Sequence, residues 1–409
     1  MRRIAETLAS LNGNGVVHDA ALAKELRAGE EPAMRIAINA ISLRKGGVLV
    51  ALDKLLQQFS RLKPNYEFHV VVGEPMPQLS QLDNPNVHYH RFRWADKDYA
   101  RGGLWYLTVL PIWLRRQRID VLFSQTCYLP PFRPRRTVLL VQDAKYFYKT
   151  PGLRNGTAAR ERAAFELKRL WTYYSVHVAD HVLVQTRTLA DSIIERFPSV
   201  RSRLTVIPHG PGYLDGLERR DFRIAAPTEA LEITYVALYR SYKNFSVLFD
   251  ALQLLRKRGI RARLHLTLDT EAEAGAREVL ECAARLGVGD MVVNHGELQP
   301  DDLSMLYRGS HVFVFPSVCE SFGFPQVEAM SFGLPLLAAD TPVNREICSY
   351  AARYFPPDGG ERLAEQLERL YRNPEELATA GRLSLKRASE FDWLKAAQDT
   401  LASMIDGHG

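Results

Sequence analysis

Two carboxylates, Glu320 and Glu328, flank an aromatic, glycine-containing turn, Ser321-Phe322-Gly323-Phe324-Pro325. A carboxylate accepts hydrogen bonds from two neighbouring hydroxyls at once, and sugars and riboses offer such pairs. The run His311-Val-Phe-Val-Phe-Pro-Ser317 has the length and the β-branched and aromatic content of a buried strand. Pro325 suits the first turn of a helix, where a missing N–H costs nothing. Glu320 therefore falls in a strand-to-helix loop and Glu328 in the first helical turns. Gly333-Leu334-Pro335 stops that helix and Leu336–Asp340 reads as the next buried strand, which closes a β-loop-α-β unit of about 30 residues. In open α/β sheets the carboxyl ends of strands form the ligand crevice. The N–H groups of Ser321, Phe322 and Gly323 precede the helix and are candidates to point into that crevice, where the helix dipole favours negative charge.

Cations stand at a second strand end. Tyr239-Arg240-Ser241-Tyr242-Lys243-Asn244 follows the predicted strand Ile233–Leu238 directly and opens onto a helix. The dipole disfavours cations at a helix start, so Arg240 and Lys243 are better explained by an anionic ligand than by helix stability. Gly46-Gly47 follows the first strand, where only glycine lets backbone approach a ligand closely, although a simple turn uses the same pair. Gln142-Asp143 ends the predicted strand Thr137–Val141; Asp143 either serves as a general base or caps the next segment.

No metal or other cofactor is expected. Asp96-Lys97-Asp98 spells D-x-D, but it follows no buried strand and sits in the basic aromatic stretch after Arg91-Phe92-Arg93-Trp94. His177 and His181 have i, i+4 spacing yet straddle a helix-to-strand junction, and Cys127, Cys282, Cys319 and Cys348 form no C-x-x-C pair. Scattered cysteines fit a reducing cytoplasm better than a disulfide framework.

At 409 residues the chain exceeds one ordinary core and predicts two domains. Its longest apolar stretch, Leu104 to Leu114, is broken by Thr108 and Pro111 and falls short of the roughly 20 residues that cross a membrane. The apolar residues there occur nearly all round, which favours core packing over an interfacial helix, although the segment ends in Arg115, Arg116 and Arg118. A net charge of +6, with further clusters at Arg91/Arg93 and Arg133/Arg135/Arg136, favours acidic partners. No nucleic-acid-binding module is present, so phosphorylated substrate or an anionic membrane at the inner face of the cell is the expected partner.

Residues 1–33 contain no apolar signal region and read as an appendage before the first strand, Met34–Ser42. Strands and helices alternate through residues 34–212, a polar Gly/Pro-containing connector covers 213–230, a second alternating series fills 231–390, and a terminal helix lies in 391–409.

The spacing E-x7-E around S-F-G-F-P resembles the retaining glycosyltransferases of the GT-B fold, glycosyltransferase family 4 (group 1). The resemblance implies an α/β architecture of two doubly wound Rossmann-like domains facing across a cleft, with the last helix crossing back onto the first domain. It implies metal-independent transfer of a hexose from a nucleoside-diphosphate sugar, GDP-mannose or a UDP-hexose, to a saccharide or lipid-linked saccharide in cell-surface polysaccharide or glycolipid synthesis. By the same resemblance Glu328 binds the donor ribose, Glu320 and the following N–H groups hold the transferred sugar, Lys243 and Arg240 meet the diphosphate, and Gly46-Gly47 and Gln142-Asp143 face donor or acceptor. Leu238 stands where the family has an arginine, and Gln142 where many relatives have histidine. An epimerase or hydrolase of the same fold, or a silent nucleotide- or glycan-binding protein, is the alternative; a dehydrogenase is disfavoured because G-x-G-x-x-G spacing is absent.

Overall fold

The structure is a computed structural model that describes residues 34–44, 46–77, 79–80, 84–95, 99–148, 159–212, 214, 227 and 229–405. The predicted appendage at 1–33, the Asp96/Asp98 pair and most of the 213–230 connector lie outside these residues.

Hydrophobic strands buried on both faces pair in parallel and need helices to cover them. Two such sheets form. The first contains β1 (Met34–Asn39), β2 (Tyr66–Val72), β3 (Val87–Arg91), β4 (Val121–Ser124), β5 (Arg136–Leu140), β6 (His181–Val184) and β7 (Leu204–Val206), in the order β3-β2-β1-β4-β5-β6-β7. The second contains β8 (Leu231–Tyr235), β9 (Ala262–Leu266), β10 (Val292–Asn294), β11 (Val312–Phe315), β12 (Leu336–Ala339) and β13 (Ala352–Phe355), in the order β10-β9-β8-β11-β12-β13. Every neighbouring pair is parallel, and the strand order reverses beside β1 and β4 and beside β8 and β11. Those reversals part the loops and open the crevices in which ligands bind.

One face of the first sheet packs on the helix Gly47–Leu62 and on the terminal helix Trp393–Ile405, whose Trp393, Ala397, Leu401 and Met404 join that core. The chain thus ends on its first domain. The opposite face is covered by the helical segment Tyr99–Leu104, Trp105–Val109 and Leu110–Arg116 together with the helices Ala159–Val178 and Arg187–Arg196. The middle piece, Trp105–Val109, is a π-helical turn just before Pro111, which lacks the N–H a regular turn would use.

The expectation that Leu104–Leu114 packs in the core is met on one side of the segment only. Trp105, Tyr106, Leu110 and Leu114 are buried, while Leu104, Leu107 and Ile112 are each more than half exposed.

Candidate functional site

The site grows from the reversal between β8 and β11. Strand β11 ends at Phe315, and Pro316 to Gly323 lead into the helix Phe324–Ser331 with Pro325 in its first turn. Gly323 turns the chain with φ +84°, in the left-handed region that favours glycine, and a Cβ there would lie 2.4 Å from the Gln326 amide nitrogen. On the neighbouring strand, β8 runs into a short 3-10 turn, Ser241–Lys243, closed by Asn244 in the left-handed conformation. Asn244 donates its amide to the carbonyls of Pro316 and Pro357, which ties the two loops together.

This pinning brings together two residues 77 positions apart. The Lys243 ammonium donates to Glu320 Oε1 at 2.6 Å, and both side chains are nearly buried. The ammonium also lies 5.6 Å from the ring centre of Tyr242 and 5.8 Å from that of Phe315. Arg240 is placed differently: its guanidinium pairs with Glu273 at 3.0 Å and is half exposed, and Glu273 also accepts the N–H of Tyr239. The structure joins Lys243 to Glu320 and leaves Arg240 at the rim.

Glu328 is buried in the helix that follows. Its Oε2 accepts the Tyr307 hydroxyl at 3.1 Å, and burial, then the Glu328 charge, pushes the Tyr307 phenol well above its ordinary range. A Cβ on Gly212 would lie 1.8 Å from Glu328 Oε1, so the carboxylate rests directly on backbone that leaves the first domain. Sequence reasoning found Glu328 but missed Tyr307 and Gly212; a lone Tyr and a Gly carry no local signal of such a contact.

From the first domain, Gly46 adopts φ +80° at the start of the helix Gly47–Leu62. A Cβ on Gly47 would lie 2.4 Å from the Phe324 ring, and one on Gly46 would lie 3.6 Å from Leu238. The glycine loop's close approach is thus to the facing domain at the head of the Glu328 helix. Asp143 stands at the cap position of the turn Ala144–Tyr146 without a side-chain capping hydrogen bond; its carboxylate pairs with Lys145 at 3.0 Å and is partly exposed. The alternative role as a cap is not the one its side chain takes. Gln142 donates its amide to the Gln125 carbonyl at 3.2 Å, which anchors it to the end of β4.

Tyr242 joins the halves. It packs with the hydrophobic core of the first domain, and burial, then Glu320, then Asp143, push its phenol far above the ordinary range. Carboxylates from both domains therefore act on one ring.

The remaining seam was invisible in the sequence. Glu346, on the helix Pro342–Cys348, accepts the N–H groups of Arg187 and Thr188 at 2.6 and 2.8 Å and the Thr188 hydroxyl at 2.7 Å. The Thr186 hydroxyl donates to the Ser321 carbonyl at 3.0 Å, beside Glu320. His209 is buried among Phe322, Phe324 and Trp393, with ring centres 5.8, 5.7 and 5.1 Å away. Phe322, expected to offer its N–H, also buries its ring in this cluster and against Phe391. Among the described residues no group of three or more His, Cys, Asp or Glu is placed to hold a metal ion, all four cysteines are free, and no helix is long and apolar enough to cross a membrane.

Comparison with known proteins follows the same outline. The family model described as glycosyl transferases group 1 matches residues 218–385. A D-inositol 3-phosphate glycosyltransferase of Streptomyces bingchenggensis is 26% identical over 239 residues, covering 55% of this chain and 52% of that protein. The chain therefore aligns with about half the length of that curated relative. Among solved structures, sucrose-phosphate synthase of Thermosynechococcus elongatus superposes with a TM-score of 0.69 at 18% identity, covering 90% of this chain and 97% of that one. Anabaena Alr3699/HepE, in complex with UDP and glucose, superposes at 0.67 and 17% identity, covering 91% and 100%. The two facing parallel sheets are the GT-B fold, and residues 218–385, which carry Lys243, Glu320 and Glu328, match the model of the glycosyl transferases group 1 family.

Proposed function

We propose that the chain is a retaining glycosyltransferase that moves a hexose from a nucleoside-diphosphate sugar, GDP-mannose or a UDP-hexose, to a saccharide or lipid-linked saccharide acceptor without a metal ion. The observation that carries the reading is the nearly buried Lys243–Glu320 pair, with Glu320 eight residues before the buried Glu328 on the same loop-and-helix unit. A departing diphosphate needs a fixed cation where its charge grows, and Lys243 is that cation. Donor phosphate competes with Glu320 for the ammonium, which frees Glu320 to accept hydroxyls of the transferred sugar. Glu328 accepts the ribose hydroxyls, held in position by Tyr307 on one oxygen and flanked by Gly212 on the other.

In the step itself the anomeric carbon–diphosphate bond breaks and a bond to the acceptor oxygen forms on the same face. The acceptor proton passes to the departing diphosphate, and Asp143, partly exposed just past the end of β5, orients the acceptor hydroxyl. Arg240, paired with Glu273 and half exposed at the rim, makes the smaller contribution. The relatives' names support this reading: one acts on a phosphorylated inositol, and one solved neighbour holds UDP and glucose.

The test is a thermal-shift panel of nucleotide sugars on wild type and Glu328→Gln. The matching donor at a hundred times its Kd adds about 2.7 kcal/mol to wild type. Loss of a charged hydrogen-bond acceptor weakens that donor by roughly ten- to a hundredfold. No stabilisation by any nucleotide sugar, or equal stabilisation of both proteins, overturns the proposal; sugar found on water alone with every acceptor points to hydrolysis instead.

A further inference from the structure

The helical layer that covers the first sheet turns two apolar stripes outward. On the segment Tyr99–Arg116 the stripe is Leu104, Leu107 and Ile112; on the helix Ala159–Val178 it is Leu167, Leu170 and Tyr174, and Phe132 projects from the loop beside them. All except Tyr174 are more than half exposed. Tyr106 and Trp171 lock the two helices together with ring centres 5.5 Å apart, and Tyr128 of the intervening loop packs on Trp171 at 6.2 Å. Both helices bury their other sides on the same sheet face, so both stripes point away from that sheet in one direction. Single exposed leucines are ordinary, but two parallel stripes joined through one aromatic cluster form a patch.

Charge decides what covers it. From Tyr99 to Gln142 the sequence holds seven arginines (Arg101, Arg115, Arg116, Arg118, Arg133, Arg135 and Arg136) against one acidic residue, Asp120. Asp120 is engaged by the Arg35 N–H, and Arg136 by the Ser403 carbonyl. Arg115, Arg116, Arg118, Arg133 and Arg135 are exposed. Strands and covering helices run in opposite senses, so Arg115, Arg116, Arg118 and the Arg133/Arg135 pair gather at the end of the layer remote from the cleft, while Leu104 lies toward the cleft end.

We propose that this face docks on an anionic lipid bilayer. The leucines and Phe132 enter the headgroup and acyl boundary and the arginines meet lipid phosphate. The inference goes beyond the donor reading and stands without it: it assigns the surface on which the enzyme sits, with the mouth of the cleft held beside a lipid-borne acceptor. A second copy of the chain would need acidic groups opposite these arginines; on the second helix the sequence sets Glu161 and Glu166 against Arg160, Arg162, Lys168 and Arg169, and Glu166 already pairs with Arg169, so the face as a whole is basic.

Flotation of the full chain with vesicles of phosphatidylcholine alone, and of phosphatidylcholine mixed with phosphatidylglycerol, tests it. Wild type floats with the mixed vesicles and progressively less as salt rises. Arg115→Gln/Arg116→Gln lowers partition roughly thirtyfold, and Leu107→Asp/Leu170→Asp lowers it at least about tenfold. Both variants keep the wild-type melting temperature and the same nucleotide-sugar thermal shift, which separates this proposal from the fate of the donor reading. No flotation, equal flotation with neutral vesicles, or wild-type partition by both variants overturns it. So does a wild-type dimer in light scattering that Leu107→Asp/Leu170→Asp converts to monomer, since that assigns the face to a second copy.

Discussion

Replacing His209 with phenylalanine removes one titration from the seam between the domains. His209 is 1% exposed, and neither ring nitrogen has a hydrogen-bond partner among the described residues. Burial alone lowers its pKa from 6.5 to about 3. Below the unfolded value the unfolded chain takes up a proton that the native seam refuses, so stability is complete above that value and is lost as pH falls toward 3. Two pH units below the unfolded pKa the loss from this one residue is about 2.7 kcal/mol. His209→Phe keeps a ring stacked between Phe324 and Trp393, leaves no unpaired buried nitrogen, and has nothing to titrate. Urea unfolding of both proteins at a series of pH values is the assay. The difference between them is small at neutral pH and grows in favour of the variant by about 2.7 kcal/mol near pH 4.5. His69, lowered to about 4 by burial and by His88 and His90, contributes its own acid sensitivity to both proteins and cancels in the difference. Curves that fall in parallel refute the reasoning, because they require His209 to be hydrogen-bonded or hydrated in solution.

Two further substitutions probe the contacts that cross the domains. Glu346→Ala deletes three hydrogen bonds to the start of the helix Arg187–Arg196; it weakens the seam by about 2–3 kcal/mol, widens the particle in small-angle scattering and raises the donor KM, and an unchanged scattering profile with unchanged urea midpoint excludes the role. Gly212→Ala places a methyl 1.8 Å from Glu328 Oε1, forcing the carboxylate off Tyr307. Donor affinity then falls about tenfold or more, as in Glu328→Gln, and wild-type affinity shows that the carboxylate does not depend on this backbone.

The loop and helix bearing Glu320 and Glu328 were legible because Gly, Pro and a buried strand punctuate one contiguous string. The Lys243–Glu320 pair was only half legible. Sequence puts each residue at a strand end, but their meeting depends on β8 lying beside β11, which local patterns do not state. Arg240 and Lys243 read alike in sequence, yet the extended backbone at Arg240 (φ −151°, ψ 148°) and the turn that follows send one to Glu273 and the other to Glu320. Leu104–Leu114 misled for a definite reason: the π turn shifts the helical phase within the segment, so a regular 3.6-residue wheel scatters what is a single stripe. Thr186, Gly212 and Glu346 gave no signal, because each acts through a partner in the other domain.

Those cross-domain partners bear on how the site is assembled. Gly47 touches Phe324 at the head of the Glu328 helix, Gly212 touches Glu328 itself, Thr186 holds the carbonyl next to Glu320, and the half-buried Tyr242 packs against the first domain while Glu320 and Asp143 both raise its pKa. Glu320 and Glu328 are therefore each positioned partly by the domain opposite. A motion that separates the domains must withdraw Gly212 from Glu328 and Thr186 from Ser321 together, so on the proposed reading donor grip and domain closure are one equilibrium. Any ligand that binds the closed arrangement better draws the seam shut in proportion to that preference, and substitutions at the seam then alter donor affinity without touching donor.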